Sequence, residues 1–129
     1  MRYVTVYLES DKVLAITTEY RKSILFVRLE GYLISTTVSI LEVELDKWME
    51  EGIIKVVFNV KELIEIDSSG IQSLLNYSHI INNNNGYSLI CGMNHHINAD
   101  LKRSKILNSI YEISDELNAI KVMKWNNRN

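Results

Sequence analysis

The chain has 129 residues, of which 47% are hydrophobic and 23% are charged, and it contains no proline. These proportions are typical of one globular domain that is long enough to bury a sizeable core. Lysine and arginine number 14 and aspartate and glutamate 16, so the formal net charge is -2. Because no excess of positive charge is available to attract nucleic acids or anionic membranes, the composition argues against a generic DNA-binding protein.

The cysteine content and the N-terminal residues indicate a cytoplasmic protein. A single cysteine, Cys91, cannot form an internal disulfide, and one cysteine with three histidines lacks the paired spacing of a structural zinc site. Residues 1–13 include charges at Arg2, Glu9, Asp11 and Lys12, so they contain neither the apolar run of a signal peptide nor an apolar segment of the length that a membrane span requires. We therefore expect a cytoplasmic protein that binds neither a metal nor a cofactor.

The first third of the chain favours β-strands. Residues 3–8 alternate between polar and apolar side chains, which predicts an extra N-terminal strand, and a second strand is expected within residues 13–18. Residues 24–29 are rich in β-branched and aromatic side chains, so they predict a third strand. We expect this third strand to end in a turn at Glu30 and Gly31.

A helix and a central strand follow. Ser35, Thr36 and Thr37 offer N-cap oxygens, and apolar residues then recur at spacings of three and four until Gly52, which predicts an amphipathic helix. Residues 53–60 form a nearly continuous apolar run of strand length. Such a run is typical of a strand that is covered on both faces of a parallel sheet.

The second half of the chain alternates between helices and strands. A helix is predicted after residues 67–70, a strand over 87–91, a helix around Ile97 and Leu101, a strand over 110–113, and a last helix capped by Ser114 or Asp115. Alternating elements after a β-rich start predict an α/β domain with a mostly parallel sheet.

Three other features are interpreted as structural rather than functional. Cys91 ends an apolar strand and is expected to be a buried small side chain rather than a reactive thiol. The pair His95 and His96 is interpreted as a polar loop rather than a metal site. The basic cluster of Lys102, Arg103 and Lys105 is interpreted as a solvated helix face.

The segment Asp67-Ser68-Ser69-Gly70 is open to three interpretations. Aspartate and serine are among the best N-cap residues, so the segment can simply begin a helix. Ser68 or Ser69 could instead be a nucleophile, which requires a nearby base. His79 lies three helical turns away, which leaves the pair His95 and His96 on a neighbouring loop, but no G-x-S-x-G elbow is present. Finally, Ser68 could accept a phosphate, which would meet the positive end of a helix and add negative charge beside Asp67.

The chain resembles the STAS domain of bacterial anti-sigma factor antagonists. The resemblance is carried by residues 57–60 and by Ile66-Asp67-Ser68-Ser69-Gly70-Ile71 with the helix that follows. It extends to Gly31-Tyr32-Leu33, to Asn84-Asn85-Gly86 and to the closing strand and helix, over residues 12–124. It implies an α/β, STAS-like fold with a mostly parallel sheet of four to five strands, an antiparallel N-terminal edge and about four helices. The whole chain, residues 1–129, would be one domain, with residues 1–11 as an additional strand.

The resemblance also implies a function. In that family the serine after the aspartate is phosphorylated by an anti-sigma factor that is a serine kinase, and a serine phosphatase removes the phosphate. Ser68 would be the phosphoacceptor, and the unphosphorylated protein would bind the anti-sigma factor and release a sigma factor. The partner-binding residues would then be Asp67, Ser69, Gly70, Tyr32, Ile34 and Ser35. No catalytic residue, direct nucleic-acid contact or membrane contact is expected.

The chain departs from the family pattern in two places, and two rival functions stay open. Tyr32 and Ile34 occupy places where well-known members carry acidic residues, and the additional N-terminal strand would either cover a sheet edge or support a homodimer. The first rival is a constitutive scaffold, or a small subunit of a stress-signalling or transport assembly, in which Ser68 is never modified. The second is an enzyme or nucleotide-binding domain, which the lack of a glycine-rich phosphate loop disfavours.

Overall fold

A computed structural model describes residues 2–7, 12–106 and 109–126 of the chain. The described part contains six strands and four helices in this order: β1 (Arg2–Tyr7), β2 (Leu14–Arg21), β3 (Ile24–Leu33), α1 (Val38–Glu50), β4 (Lys55–Ile66), α2 (Ser68–Asn83), β5 (Tyr87–Cys91), α3 (His95–Ser104), β6 (Tyr111–Ile113) and α4 (Glu116–Asn126).

The strands form one sheet in the order β1-β2-β3-β4-β5-β6. The pairs β1/β2 and β2/β3 are antiparallel, whereas β3/β4, β4/β5 and β5/β6 are parallel. The predicted α/β fold with an antiparallel N-terminal edge is therefore confirmed. The sixth strand is β1, the additional strand that the alternation of residues 3–8 predicted, although Leu8 itself lies outside the described residues.

The sheet is covered on both faces, as the apolar run of β4 predicted. Val56 and Phe58 belong to the larger core cluster, which includes buried residues of α1, α2 and α3. Val57 points to the other face, because side chains alternate along a strand, and packs in a smaller cluster with Ala119 and Met123 of α4. The central strand β4 thus has α1, α2 and α3 on one of its faces and α4 on the other.

Three predicted strand ends are wrong. The second strand, expected within residues 13–18, continues as β2 to Arg21. The third strand does not end in a turn at Glu30 and Gly31 but continues as β3 to Leu33, and irregularities in its pairing with β4 flank Gly31. Gly31 has a positive φ of 99°, a conformation that glycine adopts without strain, so the strand bulges instead of turning.

The strand predicted over residues 53–60 likewise continues as β4 to Ile66, which directly precedes Asp67. Lys61 and Glu62 are exposed in this extension, while Leu63 and Ile66 are buried. The charged residues that interrupt the apolar run are therefore exposed positions within a strand and do not mark its end.

The helices follow the prediction with two corrections. At the start of α1, Thr37 is the N-cap residue, but its side chain accepts no capping hydrogen bond. His95 and His96 lie in the first turn of α3 and not in a loop, because the side chain of Asn94 caps this helix by accepting a hydrogen bond of 2.9 Å from the N–H of Ile97. Among the described helices, none combines the length and the apolar character that a membrane crossing requires.

Candidate functional site

The Asp67-Ser68 segment lies at the carboxyl ends of two parallel strands. Leu33, the last residue of β3, is paired with Ile66, the last residue of β4, so the chain leaves both strands at the same edge of the sheet. The turn after β3 and the start of α2 are therefore neighbours. Binding sites on open α/β sheets form at such edges, where loops meet helix N-termini.

The carboxylate of Asp67 joins the turn to the helix. Its Oδ1 accepts a hydrogen bond of 2.9 Å from the N–H of Gly70, and its Oδ2 accepts one of 2.9 Å from the N–H of Ser35. The backbone N–H of Asp67 also donates to the carbonyl of Leu33 at 3.3 Å. Asp67 is therefore the N-cap of α2, as one interpretation of the sequence held, and it also fixes the turn after β3, which the sequence did not indicate.

Ser68 is the first residue of α2 and its side chain is exposed, whereas Ser69 is half-buried. Because Asp67 supplies the capping oxygen, the hydroxyl of Ser68 is not needed to begin the helix. Ser68 is thus accessible to solvent and lies within the first turn of α2, a position where the N-terminal N–H groups of a helix favour a negative charge.

Gly70 is buried, and its small size has a packing reason. A Cβ atom at this position would lie 2.2 Å from the carbonyl oxygen of Leu33 and 2.9 Å from Cγ1 of Ile66. Only glycine lets the first turn of α2 approach the end of β3 this closely. The position thus shapes the site through the backbone.

A second set of hydrogen bonds holds the turn after β3. The hydroxyl of Thr37 donates to the carbonyl of Tyr32 at 2.7 Å and accepts from the N–H of Ile34 at 3.0 Å. Ser35 is exposed and the ring of Tyr32 is half-buried beneath the ammonium group of Lys12, 5.5 Å from the ring centroid. Ile34 is buried, with 8% of its surface exposed.

The structure therefore brings together all seven residues that the sequence analysis assigned to the site, in two adjoining segments. They differ in accessibility: Ser68 and Ser35 are exposed, Asp67, Ser69 and Tyr32 are half-buried, and Ile34 and Gly70 are buried. Their contact with a partner stays a prediction. Ile34 and Gly70 can shape such a surface, but they offer it little side-chain area.

A shallow depression of about 230 Å³ adjoins Ser68. Its lining comes from the end of β4, the start of α2 and the second half of α3, and comprises Ile66, Asp67, Ser68, Ile71, Asp100, Arg103 and Ser104. Arg103 forms an ion pair with Asp100 within α3. None of the described residues that line the depression is a histidine, so the geometry gives no support to Ser68 as an activated nucleophile.

Sequence reasoning missed the place of Arg103 in this site. Lys102, Arg103 and Lys105 are all exposed, as predicted for a solvated helix face. However, the approach of α3 to the start of α2 is a tertiary contact that no local pattern encodes, so nothing in the sequence separated Arg103 from its neighbours.

Comparisons with known proteins agree with this architecture. The family model of the STAS domain matches residues 15–120. An anti-sigma factor antagonist from Mycobacterium paratuberculosis is 11% identical, with a TM-score of 0.81 over 91% of this chain and 99% of that protein. The Bacillus cell fate determinant SpoIIAA in its phosphorylated form is 14% identical, with a TM-score of 0.62 over 93% and 99%.

A third solved structure belongs to a differently named protein. A sulfate transporter family protein from Wolinella succinogenes is 14% identical, with a TM-score of 0.73 over 86% of this chain and 93% of that chain. At these identities the solved structures show a shared fold and nothing finer.

Proposed function

The chain belongs to the STAS domain family, and on that premise we propose that it is an anti-sigma factor antagonist controlled by phosphorylation of Ser68. Unphosphorylated, it binds an anti-sigma factor that is also a serine kinase, and so releases a sigma factor. A serine phosphatase restores the binding state. The protein acts as a binding module rather than as a catalyst.

One observation carries this proposal: Ser68 is exposed, and the capping bond at the start of α2 is made by Asp67 rather than by Ser68. The carboxylate of Asp67 holds both the start of α2 and the N–H of Ser35, so the surface around Ser68 is organised before any partner arrives. Ser68 contributes to this surface without supporting the fold. Its modification can therefore alter binding while the domain stays folded.

The physical effect of a phosphate fits such a switch. A phosphoserine at residue 68 adds nearly two negative charges beside the fixed carboxylate of Asp67. The helix N-terminus tolerates this charge in the free protein. A docked partner, however, would have to desolvate or repel the dianion, which costs enough free energy to reverse a binding equilibrium.

The solved structures of similar fold support the same class of function. They include an anti-sigma factor antagonist and the phosphorylated form of SpoIIAA. The proposal for this chain rests on the match to the STAS family together with the geometry at Ser68, because the identities are too low to carry a mechanism across.

The experiment uses Ser68→Ala and Ser68→Asp as baits for affinity capture from the protein's own host. We expect Ser68→Ala to retain an anti-sigma factor and Ser68→Asp to lose at least about tenfold in its recovery, because a charge is placed in the interface. Gln72→Glu is the matched control, since it adds one charge to an exposed position one turn along α2. Equal capture by all three variants would contradict the switch.

A constitutive scaffold is the second candidate, and the bonds of Asp67 favour it. They account for the aspartate by stability alone, and a sulfate transporter family protein shares the fold. Mass spectrometry of the protein recovered from its host separates the two. A phosphatase-sensitive phosphate on Ser68 supports the switch, and an unmodified Ser68 across growth and stress conditions supports the scaffold.

A further inference from the structure

We propose that Arg103 of α3 is the intramolecular partner of a phosphate on Ser68. In the phosphorylated protein the guanidinium group would leave Asp100 and pair with the phosphate across the depression that both residues line. The inference rests on the proposed function in one respect, because it concerns the same phosphorylated serine. It adds a residue and a contact that the switch at Ser68 does not itself require.

The two residues face one depression from different helices. Ser68 is the first residue of α2, and Arg103 lies in the last turn of α3. Asp100 and Ser104 of α3 line the same depression. The side chain of Arg103 is 75% exposed. A long, exposed side chain of this kind can reorient at low cost, and the volume of about 230 Å³ leaves room for a phosphate group beside it.

The present partner of Arg103 is a weak one. Asp100 lies three residues earlier on the same helix, and exposed ion pairs of this type contribute little because water screens them. A phosphate dianion presents three strong acceptor oxygens to the planar fork of an arginine, and the resulting bidentate contact is among the strongest charge-assisted hydrogen bonds. The exchange of Asp100 for the phosphate therefore favours the phosphate.

The charges around the depression make a counter-charge necessary. Asp67 and Asp100 both line it, and Asp67 is fixed there by the N–H groups of Gly70 and Ser35. A phosphate on Ser68 would add nearly two negative charges to a depression that these two carboxylates already line. Arg103 supplies a positive charge on the α3 side of this depression. Phosphorylation would thus connect the start of α2 to the end of α3, and would change the shape of the surface as well as its charge.

The test places phosphoserine at residue 68 of the full chain during translation, so that no host kinase is involved. Titration followed by ³¹P NMR then gives the pKa of the second phosphate ionisation in the parent, in Arg103→Gln and in Lys102→Gln. Lys102 is the matched control, because it is an exposed cation on the same helix that does not line the depression.

We expect Arg103→Gln to raise that phosphate pKa by at least about 0.5 units, because it removes an opposite charge close to the dianion. Lys102→Gln should leave the phosphate pKa within about 0.2 units of the parent, since distant exposed charges are screened. Arg103→Lys should recover part of the effect. Equal phosphate pKa values in the parent and Arg103→Gln, or equal shifts for the two glutamine variants, would overturn the inference.

The experiment distinguishes failure of this inference from failure of the proposed switch. If Arg103→Gln shifts the phosphate pKa while Ser68 is never phosphorylated in the host, the pairing stands and the proposed function fails. If host phosphorylation of Ser68 is found and Arg103→Gln has no effect, the inference about Arg103 alone is wrong.

Discussion

At the residue scale, the start of α2 depends on two positions for different physical reasons. Asp67 stabilises the junction by accepting backbone hydrogen bonds from Gly70 and Ser35. Gly70 stabilises it through the lack of a side chain, because the carbonyl of Leu33 occupies the space where a Cβ atom would lie. The first contribution is electrostatic and the second is steric.

We predict that Gly70→Ala destabilises the protein by about 1–2 kcal/mol. Alanine favours a helix over glycine by about 1 kcal/mol, but its Cβ would lie 2.2 Å from a backbone oxygen that cannot turn aside. Either α2 or the end of β3 must shift, and overpacking of this kind costs about 1–3 kcal/mol or more. The free energy of unfolding from urea denaturation measures the effect.

Ser69→Ala is the control for this prediction. It introduces the same residue one position earlier in the same helical turn, at a half-buried site, and should change the free energy of unfolding by less than about 0.5 kcal/mol. A neutral or stabilising Gly70→Ala would mean that the contact between α2 and β3 is looser than the structure shows.

At the element scale, a polar network holds α4 against the sheet. The guanidinium of Arg28 donates to both carboxylate oxygens of Glu116 at 2.8 and 2.7 Å, and to Glu19 at 2.8 Å. The amide of Asn59 donates to Glu116 at 2.8 Å. Because these residues come from β2, β3, β4 and the first turn of α4, the network fixes the start of this helix over three strands.

This network perturbs the acidity of its members. Hydrogen bonds from Arg28 hold the pKa of the Glu116 carboxyl below its ordinary value of 4.5, aided by Asn59 and opposed by burial. A carboxyl whose pKa is lowered by folding stabilises the folded state fully above its unfolded value, and this contribution is lost as the pH falls through the folded value. The window of loss therefore lies below about pH 4.5.

We predict that Glu116→Gln lowers the free energy of unfolding by about 1–2 kcal/mol at pH 7, because it replaces a bidentate ion pair that is only partly exposed. The difference from the parent should shrink as the pH falls below 4.5 and through the lower pKa of the folded parent, where the parent carboxylate becomes protonated. Urea denaturation of both proteins at pH 7 and at about pH 3.5 measures it.

The control for this prediction is Glu112, an exposed glutamate in β6, the strand that precedes α4 in the chain. Glu112→Gln, in β6, removes the same charge and should change the free energy of unfolding by less than about 0.5 kcal/mol at either pH. If Glu116→Gln gave a pH-independent loss, packing of the side chain rather than its ionisation would explain the contribution.

The element scale also shows what the sequence could and could not predict. Local signals sufficed for the helices that begin at Val38 and Ser68, because their apolar spacing is contained in one short segment. Capping helped only at Ser68, where Asp67 accepts the bond of Gly70, since the hydroxyl of Thr37 makes no cap bond. The extension of β4 beyond Val60 was missed, since Lys61 and Glu62 interrupt the apolar run although the backbone continues to pair with β3. A ladder supplied by a neighbouring strand overrides such a local pattern.

In the candidate site, too, local features were predictable from the sequence and long-range contacts were not. Asp67 and Ser68 were found because their capping chemistry is local and a resemblance supported it. The bond from Asp67 to Ser35 joins residues 32 positions apart, and that between Arg28 and Glu116 joins residues 88 positions apart. Contacts at these separations depend on the sheet order, which single-sequence spacing does not contain.

At the scale of the whole molecule, the two faces of the sheet are covered unequally. Within residues 2–7, 12–106 and 109–126, three helices pack on one face in the larger core cluster, and α4 is the only helix over the smaller cluster on the other. Cys91 lies in the smaller cluster with 1% of its surface exposed. Burial raises the pKa of its thiol to about 12, assisted by the carboxylates of Glu116 and Asp115, so Cys91 reports on the opening of this face.

We predict that Cys91 reacts with a disulfide reagent through detachment of α4 rather than through global unfolding. Both steps expose the thiol and lower its pKa, but a single helix over a small cluster should open at a free energy at least about 1 kcal/mol below the global value. Labelling rates at about pH 8, compared with those of the unfolded chain, give the opening free energy.

Two variants introduced above separate these routes. Glu116→Gln loosens α4 and should accelerate labelling by about 5- to 30-fold, the factor that corresponds to 1–2 kcal/mol. Gly70→Ala acts on the opposite face, where its contacts Leu33 and Ile66 belong to the larger cluster, and should leave the rate within about twofold of the parent despite its lower global stability. If both variants accelerated labelling in proportion to their loss of global stability, the two faces would unfold as one unit and α4 would have no separate opening step.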